Sequence, residues 1–270
     1  MLPHSTQMLN ILDHPCEILT ADFNKSSFDR HFHETFSIGL ITSGINAFSY
    51  RGRHIEVPAG AICIADPGEV HDGGLAGCPW SYINIFVPIG LFQTLSAEFD
   101  EQRQVVFQTG GIKDNLSRLH LARLFKTILN SGTDKARIDE LAILALGHLL
   151  RHYLVDRPQI TQAVKGSIAK RAIEVMRDCA GKEVSLALLS AETGASRYAV
   201  IRAVSASTGI TPVAYMTQLR IHRAKQLIRD GVSIAGAAIE AGFSDQSHLT
   251  RAMKRLTGIT PGKIKPQTQP

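Results

Sequence analysis

Two textures divide this chain. Over residues 30–87 the apolar positions come in short β-prone runs, each closed by turn residues. Residues 36–41 stop at Thr42-Ser43-Gly44, residues 47–51 at Gly52-Arg53, residues 55–57 at Pro58-Ala59-Gly60, and residues 61–65 at Pro67-Gly68. A longer β-rich run follows over residues 80–87. Turn signals at this pace predict a small antiparallel barrel or sandwich. Residues 1 to about 25 are weakly patterned and read as an arm or a first edge strand. From Asp114 the period becomes helical. Leu116, Leu119, Leu124 and Ile128 recur at helical spacing, then Leu141, Leu144, His148, Leu149 and His152. Gly132 separates the two runs and Thr133-Asp134 marks the second start, which predicts a helical hairpin.

Beyond the polar stretch 156–166, which contains Pro158 and reads as a linker, the pattern is helical throughout. Ile168, Ala172, Val175, Met176 and Cys179 form one apolar stripe. Then one object occurs twice. The pentapeptide Thr208-Gly209-Ile210-Thr211-Pro212 returns letter for letter as Thr257-Gly258-Ile259-Thr260-Pro261. Upstream of each copy stand a Ser and, nine residues later, a Gly: Ser185 with Gly194, Ser233 with Gly242. In the first copy Ser185 caps a helix over 186–193, Gly194-Ala195 turns, and Ser196 caps a second helix over 197–207. In the second, Ser233 caps 234–241, Gly242 turns, and Ser244 caps a helix over 245–256, with one extra residue between Gly and pentapeptide. Short helix, Gly turn and second helix make the helix-turn-helix pattern. Ser190 and Ala238, four before each Gly, supply the small residue that crossing helices need.

Thr211-Pro212 opens a long helix to about Asp230, closed by Gly231. Val213, Met216, Leu219, Leu227 and Ile228 give it a buried face, and Arg220, Arg223 and Lys225 are available for exposed ones. At ~1.5 Å per residue it is roughly 27 Å long, a little under the ~34 Å of one duplex turn. Such a connector can hold two recognition helices at successive major grooves. The fold class is therefore two-domain α+β. Residues 1–155 form a barrel with a helical hairpin, 156–166 the linker, and 167–270 an all-α domain with helix-turn-helix motifs at 185–207 and 233–256.

Charge sharpens this division. Residues 1–155 carry 12 Lys and Arg against 16 Asp and Glu, and residues 156–270 carry 17 against 8. Only the C-terminal part is expected to meet a polyanion. The four cysteines (Cys16, Cys63, Cys78, Cys179) lack metal or disulfide spacing and read as reduced packing residues. No basic segment followed by an apolar run opens the chain, and no run of ~18 apolar residues occurs, so a cytoplasmic protein is expected.

The candidate chemistry is selective. His31 and His33 lie two apart on an expected strand, so they share a face, and His71 follows the turn Pro67-Gly68-Glu69-Val70. Here the sequence resembles the cupin barrel found at the front of AraC-type regulators. The matching residues are His31-Phe32-His33-Glu34, Gly44, Pro58-Ala59-Gly60 and Pro67–His71. In enzyme cupins the equivalent histidines bind a metal with a nearby carboxylate. Ser37 and Ile38 stand where that carboxylate is expected, with Glu34 and Glu69 as stand-ins. Three readings compete: small-ligand hydrogen bonding, which leads, structural histidines, and a metal site on His31, His33 and His71. No cofactor is expected on the leading reading. Arg30, Trp80, Tyr82 and Asn84 complete the ligand candidates, the last three sharing one strand face.

The C-terminal part resembles the DNA-binding domain of the AraC/XylS family over about residues 168–263. The specific stretch is residues 242–255 followed by Thr257–Pro261. Val204 and Met253 stand where the family usually has Phe. DNA contacts fall on Arg197, Tyr198, Ile201 and Arg202 in the first copy, and on Gln246, Ser247, His248, Thr250 and Arg251 in the second. Gln can read adenine and Arg guanine through paired hydrogen bonds, while Ser and Thr hydroxyls more often meet phosphate. Leu249 and Phe243 read as core. The resemblance implies a ligand-responsive, promoter-binding transcription regulator, an activator touching RNA polymerase, dimeric through the helical hairpin, and no enzyme. The alternatives are a metal-dependent cupin enzyme with a DNA-binding tail, and a ligand-independent DNA-binding protein.

Overall fold

The computed structural model describes residues 5–24, 27–74, 76–95, 105–130, 134–156, 165–179, 181 and 184–264. The chain up to Pro158, apart from Phe28–His31, forms one compact unit, and the chain from Gln159 onward forms a second, to which Phe28–His31 belongs. Most of the expected linker, and Gly132 of the expected hairpin, lie outside the described residues.

The first unit is a two-sheet barrel. The elements up to Asp156 are, in chain order, β1 (Ser5–Ile11), β2 (His14–Phe23), β3 (Phe28–His31, which groups with the second unit), β4 (Phe36–Ser43), β5 (Ile45–Tyr50), β6 (Arg53–Pro58), β7 (Ile62–Ala65), β8 (His71–Gly73), β9 (Trp80–Val87), α1 (Ile89–Leu95), β10 (Val105–Phe107), β11 (Gly111–Ile112), α2 (Asn115–Leu129), α3 (Lys135–Tyr153) and β12 (Leu154–Asp156). One sheet has the order β1-β2-β9-β4-β7-β11, the other β3-β8-β5-β6, and β10 pairs with β12. The weakly patterned start is a hairpin whose β1 is the expected edge strand.

Strand alternation sorts β9 into two faces. Ile83, Ile85 and Val87 join Ile18, Ile38, Leu40, Ile62 and Ile64 in an apolar layer against Leu121, Leu124, Phe125, Leu141, Leu146 and Leu149 of the helices. Each buried Leu there is worth about 1.5–3 kcal/mol relative to exposure. The predicted helical stripe differs by one face. Leu116, Leu119 and Leu144 are exposed, and the buried stripe of α2 runs instead through Ser117, Leu121, Leu124 and Phe125. Asp114 caps α2 by accepting from the Leu116 and Ser117 amides, which sets the helix start and hence which stripe meets the sheet.

The opposite face of β9 carries Trp80, Tyr82, Asn84 and Phe86. Their partners on β2 are Phe23, Ala21, Leu19 and Glu17, and Asn84 and Phe86 stand opposite Gly39 and Ser37 of β4. A Cβ on Gly39 would come within 2.7 Å of Cys63 Sγ and 2.9 Å of Asn84 Oδ1, so only glycine fits that row. All four cysteines are free thiols, and burial pushes those of Cys16 and Cys63 up to about 12.

A buried carboxylate fastens the barrel. Asp66, 2% exposed, accepts from Tyr50 Oη at 2.6 Å, the Phe107 amide at 3.0 Å and Arg51 Nη2 at 2.7 Å. Arg51 reaches it from the β5–β6 turn, where it adopts a positive φ of 50° beside Gly52. Burial pushes the Asp66 carboxyl above its ordinary value, and the three donors pull it back.

The second unit is helical: α4 (Lys165–Asp178), α5 (Leu186–Thr193), α6 (Arg197–Thr208), α7 (Pro212–Arg229), α8 (Ile234–Glu240), α9 (Gln246–Thr257) and a closing 3-10 turn at Pro261–Lys263. The caps fall as expected at Ser185, Ser196, Thr211 and Ser233. The last one moves. Asp245, not Ser244, caps α9, accepting from the His248 amide at 2.7 Å, while Ser244 bonds the Asp245 carboxylate and His248 Nδ1. The extra residue of the second copy therefore sits in the turn between Gly242 and the cap, and α6 and α9 are both 12 residues long. In α7, Val213 is 68% exposed and not part of the buried face, because Pro212, Tyr215, Met216 and Leu219 define the opposite stripe. Arg223 Nε donates to the last helical carbonyl of α8, at Glu240, and Arg220 packs on Gly242. These two arginines brace the second motif, although the sequence made them available for exposed faces.

Candidate functional site

The DNA-facing candidates follow from how each motif buries its second helix. In α9 Leu249, Ala252, Met253 and Leu256 are buried, and Phe243 is 5% exposed just before the cap. That leaves Gln246, Ser247, His248 and Arg251 exposed on the first turns, with Thr250 half-buried. The Thr250 hydroxyl donates to the Gln246 carbonyl at 2.8 Å, so its hydrogen is already directed into the helix. His248 is held on both sides, by Ser244 Oγ at 3.1 Å and edge-on by the Phe243 ring at 5.1 Å. The His248 amide is the first cause, with the Ser244 hydroxyl next, holding the Asp245 carboxyl below its ordinary value.

In α6 Val200 and Val204 are fully buried, so Val204 fills its core position despite its size, as Met253 does in α9. Arg197, Tyr198 and Arg202 are exposed and Ile201 half-buried. Tyr198 is 69% exposed, and the Arg202 guanidinium lies 5.7 Å from its ring centroid. This is an i,i+4 pair that holds both side chains at the start of the helix. The Gly194 turn has the left-handed conformation that the motif needs (φ 63°), and Ser190 Oγ donates to the Ala195 carbonyl across it.

In the barrel the ligand candidates separate. Trp80, Tyr82 and Asn84 face the interior, which the sequence left open. Asn46 of β5, from the facing sheet, hydrogen-bonds Cys63 there. Asn84 is fully buried, and its Oδ1 accepts from Ser37 Oγ at 3.1 Å. Its side-chain nitrogen has no hydrogen-bond partner among the described residues. Burial, then Cys63 and Glu17, push the Tyr82 phenol above its ordinary value and keep it a neutral donor. Trp80 is 2% exposed and packs on Phe23, with ring centroids 4.5 Å apart, so its ring is part of the barrel's aromatic end.

His31, His33 and His71 do come together. One ring nitrogen of each lies within 4.8 Å of the others. β3 ends at His31, so His33 stands just beyond the strand on which it was expected. The turn carrying His71 is tied to it, since the Gly68 amide donates to the His33 carbonyl at 2.8 Å. Burial pushes the His71 imidazole below its ordinary value and keeps it neutral. Arg30 is not brought to this group. It is exposed, on the opposite face of β3 from His31. Neither stand-in carboxylate joins the histidines among the described residues: Glu34 is exposed, and Glu69 Oε1 lies 3.6 Å from Arg51.

Sequence reasoning missed Glu17, Asn46 and the Asp66 anchor. Glu17 and Asn46 carried a readable signal, since each is a polar residue inside a strand whose neighbours are apolar.

Comparison with known proteins gives these units a context. Residues 15–150 match the AraC-like ligand binding domain, and residues 189–267 match a helix-turn-helix domain family. The chain is 29% identical to the uncharacterized HTH-type transcriptional regulator YbfI of Bacillus subtilis (strain 168), over 82% of this chain and 81% of the relative. It is 21% identical to the HTH-type transcriptional activator RhaS of Enterobacter sp. (strain 638), over 89% and 88% respectively. Among solved structures, unsaturated fatty acid bound ToxT from Vibrio cholerae strain SCE256 aligns with a TM-score of 0.59 at 11% identity. That alignment covers 96% of this chain and 95% of the other, and it shows a shared fold.

Proposed function

We propose, from the premise that this chain belongs to the AraC family of transcriptional regulators, that Gln246, Ser247, His248, Thr250 and Arg251 read promoter DNA. Arg197, Tyr198, Ile201 and Arg202 make the thinner first-copy contact. The chain is a DNA-binding regulator with a ligand-binding domain, and the residue-level reading rests on one observation. The exposed first turns of α9 carry an amide, a hydroxyl, an imidazole and a guanidinium, while every apolar residue of that helix is buried. These are the groups that meet base edges and phosphates.

On this reading residues 1–155 sense, 156–166 link and 167–270 bind DNA. His31, His33, His71, Tyr82 and Asn84 line the effector site, with Trp80 closing one end. The buried Asn84 amide without a partner supports an effector that brings a hydrogen-bond acceptor. The effector must favour one state of the protein over another, because only differential affinity shifts an equilibrium. The protein is then not an enzyme but a switch, acting in the cytoplasm at the nucleoid. It dimerises through the apolar residues that α2 and α3 leave exposed, Leu116, Leu119, Ile143 and Leu144. It activates through RNA polymerase, and a relative named a transcriptional activator supports the activating direction.

Arg251→Ala tests the DNA reading. Affinity for the protein's own promoter should fall by about 1–3 kcal/mol, with little loss on random duplex. An equal loss on both would make Arg251 a phosphate contact, and no loss on either would overturn its assignment.

A further inference from the structure

We infer that His248 reads one promoter base as a hydrogen-bond acceptor, through Nε2, and so selects a base that offers an exocyclic amino group in the major groove, cytosine or adenine. The inference rests on the reading of α9 as a recognition helix and adds what one of its side chains demands of the DNA.

The sign of the contact comes from a chain of three side chains. Ser244 Oγ donates to Asp245 Oδ2 at 3.0 Å and lies 3.1 Å from His248 Nδ1. The other Asp245 oxygen accepts the His248 amide at 2.7 Å. That amide first, then the Ser244 hydroxyl, holds the Asp245 carboxyl below its ordinary value, so at neutral pH it is ionised and only accepts. The single Ser244 hydrogen therefore points to Asp245, and Oγ meets Nδ1 with a lone pair. Nδ1 then carries the ring hydrogen and donates. A neutral imidazole has one such hydrogen, so Nε2 keeps its lone pair.

The ring is also held in place. The buried Phe243 ring meets the imidazole edge-on, with centroids 5.1 Å apart and planes at 87°. His248 is exposed, and its side chain makes no other hydrogen bond among the described residues, so Nε2 is open to a partner. Arg251, three residues on and equally exposed, is its neighbour on the helix. The two ask for opposite chemistry. A guanidinium only donates and suits the guanine O6 and N7 acceptors, whereas a lone pair suits the amino groups of cytosine N4 and adenine N6. Guanine and thymine edges present acceptors there, which Nε2 cannot meet.

The test uses the full chain and a duplex that it selects from a random library. Affinity is measured for every single-base replacement, in wild type, His248→Ala, Ser244→Ala and Ser244→Thr. We expect one position where wild type prefers cytosine or adenine by about 5-fold. Replacing that base by its analogue without the amino group (pyrimidin-2-one for cytosine, purine for adenine) should cost wild type as much. His248→Ala should lose both effects at that position and keep the preferences elsewhere, which also shows it folded. Comparing the two proteins on parent and analogue duplexes isolates the contact from any weakening of the duplex itself. Ser244→Ala, which frees the tautomer, should shrink the preference, and Ser244→Thr, which keeps a hydroxyl, should retain it. A His248-dependent preference for guanine or thymine overturns the inference, as does an analogue that wild type binds as well as the parent base. Equal loss in Ser244→Ala and Ser244→Thr overturns the role of the hydroxyl. A chain that selects no sequence sinks the reading of α9 and this inference with it, whereas a selected sequence whose every preference survives His248→Ala sinks this inference alone.

Discussion

Asp66→Ala should unfold the barrel early and leave the DNA-binding unit alone. The carboxylate accepts three hydrogen bonds from three places: the end of β5, the β5–β6 turn and β10. Removing it strands the Tyr50 hydroxyl, on a residue 2% exposed, and the Phe107 amide, on a residue that is fully buried. Each stranded donor costs about 1–3 kcal/mol. Arg51, 30% exposed in its side chain, turns to water and adds little. The total is about 3–5 kcal/mol, in line with breaking other buried charged pairs. The assay follows from composition. Trp80 is the only tryptophan and lies buried in the barrel, so its fluorescence reports this unit without the helices of the other. With a urea slope of ~2 kcal/mol per molar, the Trp80 midpoint should fall by ~2 M, and the late helical transition in circular dichroism should stay in place. A loss under ~1 kcal/mol would refute the anchor. So would a Tyr50→Phe, Asp66→Ala double variant whose losses simply add, since partners in one network must couple.

Two further outcomes follow from the helical hairpin. Hydrogen bonds from the Ser117 hydroxyl and amide, with smaller help from Leu116 and His148, hold the Asp114 carboxyl well below the ordinary carboxylate range. A depressed folded value means stabilisation present above the unfolded value of ~3.9 and lost as pH falls below it. Asp114→Ala should therefore cost about 1 kcal/mol at neutral pH, and the difference from wild type, read by thermal melts, should shrink below pH ~4. Ile143→Glu combined with Leu144→Glu, at residues 46% and 47% exposed, should leave the fold intact and convert a sedimenting dimer to monomer. A wild-type chain already monomeric at micromolar concentration, or a variant dimer, counts against the hairpin interface.

Much of this architecture is written locally. The cap–turn–cap grammar of Ser185, Gly194, Ser196 and Ser233 acts over three or four residues, and the structure follows it. The strand runs are equally local, since alternation and turn residues bound them. What escaped is what depends on contacts distant in sequence. Asp66 meets Phe107 across 41 residues, and nothing near Asp66 announces a partner. The inward face of β9 is chosen by which row meets the helices, so Tyr82 and Asn84 were legible as a pair but not as interior. His31 and His71 were legible as candidates, but the carbonyls of Asp29 and Glu69 that their Nδ1 atoms meet were not. Ser244 failed as a cap because the Asp245 carboxylate takes the His248 amide, while the Ser244 hydroxyl is engaged by Asp245 and His248.

The repeated pentapeptide has a consequence for engineering. In both copies the threonine hydroxyl bonds back four residues (Thr208 to Val204, Thr257 to Met253), and the glycine closes the helix left-handed at Gly209 and Gly258. The exits thus share a backbone, although one leads into the 18-residue α7 and the other into a single 3-10 turn. With recognition helices of equal length entering the same exit, the stretches 197–207 and 246–256 are interchangeable cassettes. A chimera carrying two copies of the richer one would keep both exits intact while giving the two motifs the same exposed side chains.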